Sequence, residues 1–433
     1  MLDDTLLDDP AALRRADHDR ALLALAGSGA RVRTALRLAE AAGLDRLRPD
    51  GRPRAVLVAG HGSALTAAEM LAALAGTASL VAPLPPTDAA PVPRTDRATP
   101  PAVFTAGLAW QLPGWAGPLD LLVISSAAGG ERGLVALAEQ AYARGCAIVV
   151  TAPEGSPLAE AALQVRALPL PFVPPADSSD APADDDGEHG RGAEPDLPAE
   201  DPAALWAHLA PLLALTQKLG VTPLPYDALA ATADLLDATA VRCRPDAAAY
   251  TNPAKSLAAR LAGTVPLLWA EGPVAGAAAG RFAAQLAERA GRPALAGLLP
   301  QALTAHRGMF TGQLGAGADP DDFFRDRVEE PDPLHLQVLL LRQTAEEAPA
   351  GPGAAGPGFG GAPEEEDGGP AEVPADDARP RSFGVTRAHR LAAAHDVRLT
   401  EYASRRPEPL HALVELVALT DFAAVYLGLA AQS

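Results

Sequence analysis

Several short segments of the sequence combine residue types that can do chemistry. Gly60-His61-Gly62-Ser63 follows the apolar run Arg54–Ala59 and precedes a helical stretch that reaches Ala75. Glycines let backbone amides approach an anion, the Ser63 hydroxyl can donate, and a helix start adds positive potential. The same residues also fit a tight turn in which Ser63 caps the helix. Ser125-Ser126-Ala127-Ala128-Gly129-Gly130-Glu131 repeats the arrangement after Leu119–Ile124. Two such turns in one sheet can hold a phosphate from both sides. Capping again explains them as well, since residues 127 to 130 carry no hydroxyl.

Two further segments lie in the second half. In Tyr250-Thr251-Asn252-Pro253-Ala254-Lys255, Asn252 and Pro253 read as an N-cap followed by proline at the first helical position. Capping does not account for Lys255, one of only two lysines beside Lys218. Glu288 lies on a helical stretch among alanines and leucines, where a carboxylate can become a raised-pKa base. A solvated face pairing Glu288 with Arg289 or Arg292 is the competing account. His306 follows shortly after, and alone reads as a surface or cap histidine.

The elements that carry these residues repeat one pattern. In the first half, short apolar runs at 54–59, 119–124 and 146–151 each end in small residues and lead into a helix. Strand, turn and helix in that order predict a parallel α/β sheet, with sites at the strand C-termini. Helices at 202–219 and 226–242 connect to a second set: a helix from Pro253, a strand at 265–269, a helix at 278–290, then strands at 292–295 and 336–341. The chain of 433 residues therefore divides into two doubly wound α/β domains.

Charge and cysteine usage limit the partners. The net charge of −19 is concentrated: residues 177–201 hold ten acids against one arginine, and residues 345–380 hold nine against one. These Pro-, Gly- and Ala-rich acidic stretches predict disordered loops. No basic patch exists for nucleic acid, and negative charge disfavours anionic membranes. Cys146 and Cys243 are unrelated in spacing and read as buried thiols, not as a disulfide or metal site. The first residues show no basic and apolar leader, so the cytoplasm is the expected compartment. The apolar stretch 411–431 contains Glu415 and Asp421, so it reads as a core helix. Its residues Leu413, Leu416, Val417, Phe422, Val425 and Tyr426 form more than one stripe, which suggests a homodimer or burial within one chain.

Taken in order, the segments resemble the sugar isomerase (SIS) domain family, in particular its bifunctional phosphoglucose/phosphomannose isomerases. Asn252-Pro253-Ala254-Lys255 is similar to that family's Asn-Pro-Ala-Lys. Gln285 to Ala294 is similar to its Gln-x-Asn-Glu-Asn-x-Lys-x-Pro-Ala, with Glu288 in register with the glutamate. Leu299-Pro300-Gln301 resembles its Leu-Pro-Glu, Asp421 to Leu427 its C-terminal helix, and Gly62-Ser63-Ala64 its Gly-Gly-Ser-Ala. There are departures. Ala127 and Gly130 stand where the family's Ser-Tyr-Ser-Gly-Asn-Thr loop has hydroxyls, and Ala203 stands where its Pro-Arg has the arginine. Leu303-Thr304-Ala305 replaces its Asn-His-Asn, and His306 lies two positions late.

The resemblance implies two doubly wound, flavodoxin-like SIS domains with parallel sheets. Their expected limits are N-terminal helices at 1–45, a first domain at 46–176 and an acidic loop at 177–201. Connecting helices and the second domain follow at 202–344, then an acidic insertion at 345–382 and the closing part at 383–433. It implies aldose–ketose isomerisation of glucose 6-phosphate or mannose 6-phosphate to fructose 6-phosphate through a cis-enediol, with no metal or other cofactor. Glu288 would be the base and His306 the ring opener. Gly62, Ser63, Ser125, Ser126, Asn252 and Lys255 would hold the substrate. A sugar-phosphate-binding protein that has lost turnover is the alternative.

Overall fold

The computed structural model describes residues 4–46, 51–89, 107–174, 200–311, 334–344, 371–372 and 381–431. The acidic stretches, apart from Glu200, Asp201 and the short segments at 371–372 and 381–382, lie outside the described residues. The chain forms two compact units, one of residues 23–237 and one of residues 1–22 with 238–433.

In the first unit, β1 (Ala55–Ala59), β2 (Leu80–Leu84), β3 (Leu121–Ser125), β4 (Ala147–Ala152) and β5 (Leu168–Pro171) form one sheet in the order β2-β1-β3-β4-β5. All its pairings are parallel. The interior strands β1 and β3 are buried along their whole length, so their sequences are continuous apolar runs without alternation. Pro83 in β2 and Pro169 and Pro171 in β5 stand on the two edges, where a missing N–H discourages further pairing. The chain turns from β1 to β2 on one side and to β3 on the other. The switch point therefore lies between β1 and β3, where ligands of such sheets sit.

Helix α1 (Ser28–Ala41), α2 (Ser63–Ala75), α3 (Arg132–Ala143), α4 (Pro157–Gln164) and α5 (Ala204–Lys218) cover this sheet. Helix α5 packs on both α1 and α2. It is buried nearly all round, which explains its weak amphipathic pattern. The connecting helices thus belong to the first compact unit, up to residue 237 within α6 (Ala228–Arg242).

The second unit repeats the design. Strands β6 (Thr264–Ala270), β7 (Leu295–Leu298), β8 (His335–Gln343), β9 (Ala371–Glu372) and β10 (Arg398–Ser404) are ordered β9-β10-β8-β6-β7. All pairings are parallel except that of the two-residue β9. Its helices include α7 (Pro253–Leu261), α8 (Gly272–Ala290), α9 (Gln301–Ala305), α10 (Phe383–Ala394) and α11 (Pro409–Ala431). Sequence pattern places the start of α8 at Ala278; the structure starts it at Gly272, with Pro273 in its first turn.

Helix α11 is the centre of this unit. Its 23 residues are long and apolar enough to cross a membrane, yet Leu410 and Ala412 to Ala430 are buried in the protein. Its polar groups are all matched. Asp421 accepts two hydrogen bonds of 3.2 Å from the Arg281 guanidinium, and Glu415 takes Ser404 Oγ and Arg406. Tyr426 donates to the Cys243 carbonyl at 2.6 Å. The expectation that one stripe of this helix faces a second copy loses its basis, because the chain covers every stripe itself. Helices α8 and α11 approach closely at Gly428, where a Cβ would stand 2.2 Å from the Arg289 carbonyl oxygen.

That contact makes a prediction. Gly428→Ala should force the two helices apart and lower stability by about 1–3 kcal/mol, the usual cost of overpacking. Gly280→Ala, on α8 with nothing within 4 Å, should be neutral or stabilising by up to about 1 kcal/mol. Urea denaturation of both variants is the check, and equal midpoints would disprove the close approach.

Candidate functional site

The turns after β1 and β3 meet at the switch point of the first sheet. Gly60 lies so near the end of β3 that a Cβ on it would be 2.9 Å from the Ser125 carbonyl oxygen. Gly62 adopts φ 53° and ψ −130°, a conformation open essentially to glycine. It also has no room for a side chain, because the Glu200 carboxylate lies against it. The amide of Ser63 donates to both oxygens of that carboxylate, at 2.8 and 3.1 Å, and Ser63 Oγ donates to one of them. An anion thus already sits at the start of α2, supplied from 137 residues away. Ser63 is not the side-chain cap of its helix; Gly62 holds the N-cap position and Glu200 supplies the acceptor.

Ser125 and Ser126 both point inward. Ser125 Oγ bonds His208 Nδ1 at 2.8 Å, and that ring stacks on Phe172 with centroids 4.5 Å apart. Burial pushes the His208 imidazole down to about 3, so the ring is neutral. Ser126 Oγ donates to Glu131 and accepts the amides of Ala128 and Gly129 at 3.2 and 2.7 Å. His61 Nε2 meets the same carboxylate at 2.9 Å. Burial raises the Glu131 carboxyl, but the hydrogen bonds of His61 and Ser126 outweigh it and hold the group below its ordinary range. An ionised glutamate therefore stands at the start of α3, bound to a histidine and a serine.

In the second unit the named residues fall into separate surroundings. Asn252 is fully buried; its Oδ1 accepts the amides of Ala254 and Lys255, and its Nδ2 donates to the Arg244 carbonyl. Lys255 is equally buried, its Nζ donating to the carbonyls of Pro245 and Ala247 at 2.7 and 2.8 Å beside the Tyr426 ring. Burial lowers its pKa. Both side chains therefore fasten the loop before α7. Glu288 is 39% exposed, pairs with Arg289 at 3.1 Å and accepts from Gln285 Nε2 at 3.1 Å. It is not enclosed by apolar groups.

His306 is more constrained than its sequence suggests. The Trp269 indole, which can only donate, gives its proton to His306 Nδ1 at 2.9 Å. The neutral ring therefore carries its own proton on Nε2, and burial favours the neutral form by lowering the pKa. At the switch point of this sheet, between β6 and β8, Arg342 joins Glu271 at 2.6 Å and Glu401 at 2.5 Å, and His389 reaches Glu401 at 3.2 Å. Among the described residues, no group of three or more His, Cys, Asp or Glu is arranged to hold a metal ion.

Sequence reasoning assigned no role to His61, Glu131, His208 or Glu200. Two of them were signalled, since His61 and Glu131 stand directly after strands in the glycine turns. Nothing local marks His208, within an apolar helix, or Glu200, at the end of an acidic run.

Comparison with known proteins gives a family-model match over part of the chain and a shared fold. Residues 250–350 match the model of the bacterial phospho-glucose isomerase C-terminal SIS domain. No curated protein matches the sequence. A hypothetical protein from Thermus thermophilus shares the fold at a TM-score of 0.52 and 14% identity, over 98% of this chain and 89% of that one. A candidate phosphosugar isomerase from Clostridium difficile gives 0.52 at 10% identity, over 95% and 92%. A candidate sugar-binding protein from Salmonella typhimurium gives 0.51 at 12%, over 94% and 99%. At such identities the likeness speaks for the fold.

The buried imidazole predicts a pH dependence. His208 titrates near 6.5 when unfolded and near 3 when folded. Between those values only the unfolded chain takes up the proton. Stability should therefore be lost as pH falls from about 6.5 towards 3, by up to about 1.4 kcal/mol per pH unit. His208→Asn should flatten that part of the profile in chemical denaturation series. Parallel profiles for the two proteins would remove His208 as the cause.

Proposed function

We propose that this chain, whose residues 250–350 match the bacterial phospho-glucose isomerase C-terminal SIS domain, is an SIS-type protein that binds a sugar phosphate with its phosphate at the turn Gly60–Ser63. The observation that carries this reading is the carboxylate that accepts the Ser63 amide and hydroxyl. The donors that satisfy a carboxylate oxygen are the donors a phosphate oxygen requires, and the start of the 13-residue helix α2 adds favourable potential. Ser125 and Ser126 contribute through their internal partners, holding the second turn in place. Asn252 and Lys255 shape the loop before α7.

A second reading is turnover by residues of the second unit. His306 presents Nε2–H as its free donor, because Trp269 occupies Nδ1. A donor at the ring oxygen is what opening of a cyclic hexose phosphate needs. Glu288 would then take the C2 proton of glucose 6-phosphate or mannose 6-phosphate and return it to C1, so that a cis-enediol collapses to fructose 6-phosphate. The exposure of Glu288 and its pairing with Arg289 favour binding over efficient catalysis.

Two measurements separate these readings. Fructose 6-phosphate should raise the stability of the protein by about 2.7 kcal/mol at a hundredfold excess over Kd, and Ser63→Ala should remove most of that gain. No gain with any hexose phosphate would sink the binding reading. In coupled assays of both aldose phosphates, Glu288→Gln should lower any turnover by about 10²-fold or more. Undiminished turnover in that variant would remove Glu288 from the chemistry.

A further inference from the structure

We infer that Glu200 is a built-in competitor for the phosphate seat, so that the protein as folded is self-blocked and binds its ligand by displacing its own side chain. This rests on the reading that the Gly60–Ser63 turn receives a phosphate. The geometry is that of an occupied anion site. The Glu200 carboxylate fills the space above Gly62, takes the Ser63 amide with both oxygens and takes the Ser63 hydroxyl as well. A phosphate placed on the same donors would overlap it, so the two anions exclude each other.

The residue that follows shows why Glu200 stays there. Asp201 pairs with Arg31 on α1 at 2.5 Å and accepts the amide of Ala203 at 2.9 Å, fixing the entry into α5. Helix α5 in turn packs on α2, the helix whose start forms the seat. Asp201 is thus the anchor, and Glu200 reaches from it into the turn. Releasing Glu200 requires rotation of one side chain and its backbone, while the anchor and α5 remain in place.

The functional consequence is quantitative. A ligand that binds only the open form has its apparent affinity reduced by the fraction of molecules in which the seat is open. Removing the competitor therefore tightens ligand binding without adding any contact to the ligand. The contact also sets specificity: a ligand must bring a stronger anion than a carboxylate, which suits a phosphate dianion and disfavours neutral sugars.

The test measures binding of inorganic phosphate and of fructose 6-phosphate to the full chain by calorimetry, for wild type, Glu200→Ala, Glu200→Gln and Glu200→Ala with Ser63→Ala. Circular dichroism confirms folding of each. Both single variants should bind both anions roughly tenfold tighter or more than wild type. Adding Ser63→Ala should abolish the gain. Equal affinity in wild type and the Glu200 variants would overturn the competitor while leaving the phosphate seat intact. Failure of the Glu200 variants to bind either anion would overturn the competitor and the seat together. Glu200→Gln guards against a folding defect in the alanine variant, since it keeps the side-chain volume and removes the charge.

Discussion

A helix that begins at the C-terminal end of a parallel strand leaves its first amides without intrahelical partners, and some acceptor must meet them. Three such junctions here carry a glutamate, and its use differs at each. At α2 the acceptor is Glu200, which binds the Ser63 backbone directly. At α3 and α8 the N-cap positions are Glu131 and Glu271, and neither side chain caps its helix. Glu131 instead serves His61 and Ser126, and Glu271 serves Arg342. Two carboxylates are therefore held by side-chain networks. The carboxylate at α2 rests instead on the helix's own first residue, through its backbone amide and hydroxyl.

The second unit achieves its positioning through a buried helix. An apolar α11 supplies most of the burial, and its carboxylates tie it to the surrounding elements at fixed points. Arg281 and Asp421 are 5% and 0% exposed, so removing either partner would leave a charge without compensation in the core. Arg281 lies on α8 two turns before Glu288, and the close approach at Gly428 fixes the same helix at Arg289. The candidate base therefore rides on a helix held from both sides of its position. His306 is placed independently, by the indole of Trp269 in the interior strand β6. The order of the sequence elements carries this arrangement, because both residues hang on elements that the sheet core defines.

How much of this was legible from sequence follows burial. Strands β1, β3, β4, β6 and β8 stand out as apolar runs because the sheet buries both their faces. The edge strands β2 and β5 escape notice, since they are less deeply buried and contain proline. Strand β10, Arg398–Ser404, hides its character behind Thr400 and Glu401, which are polar yet buried, with Glu401 paired to Arg342. Site residues follow the same logic with a different outcome. The turn Gly60–Ser63 is recognisable because its chemistry is local. Lys255 attracted attention as a rare lysine, but its partners are carbonyls eight and ten residues back, which composition cannot reveal. Glu200 was hidden among ten acids of similar appearance, and its contact spans most of the first unit.

The departures from the pattern that the sequence resembles bear on the self-contact. With Ser125 turned to His208 and Ser126 to Glu131, Ser63 is the hydroxyl that remains at the seat. Fewer donors mean weaker attraction for any anion, but a carboxylate of the same chain competes from close range. A tethered group acts at an effective concentration on the order of mM when its linker suits the span. Glu200 is better placed than that, since Asp201 and α5 hold its backbone next to the turn. A seat rich in hydroxyls would bind phosphate too tightly for one glutamate to matter. A seat reduced to a single serine is one that a glutamate held in place can close.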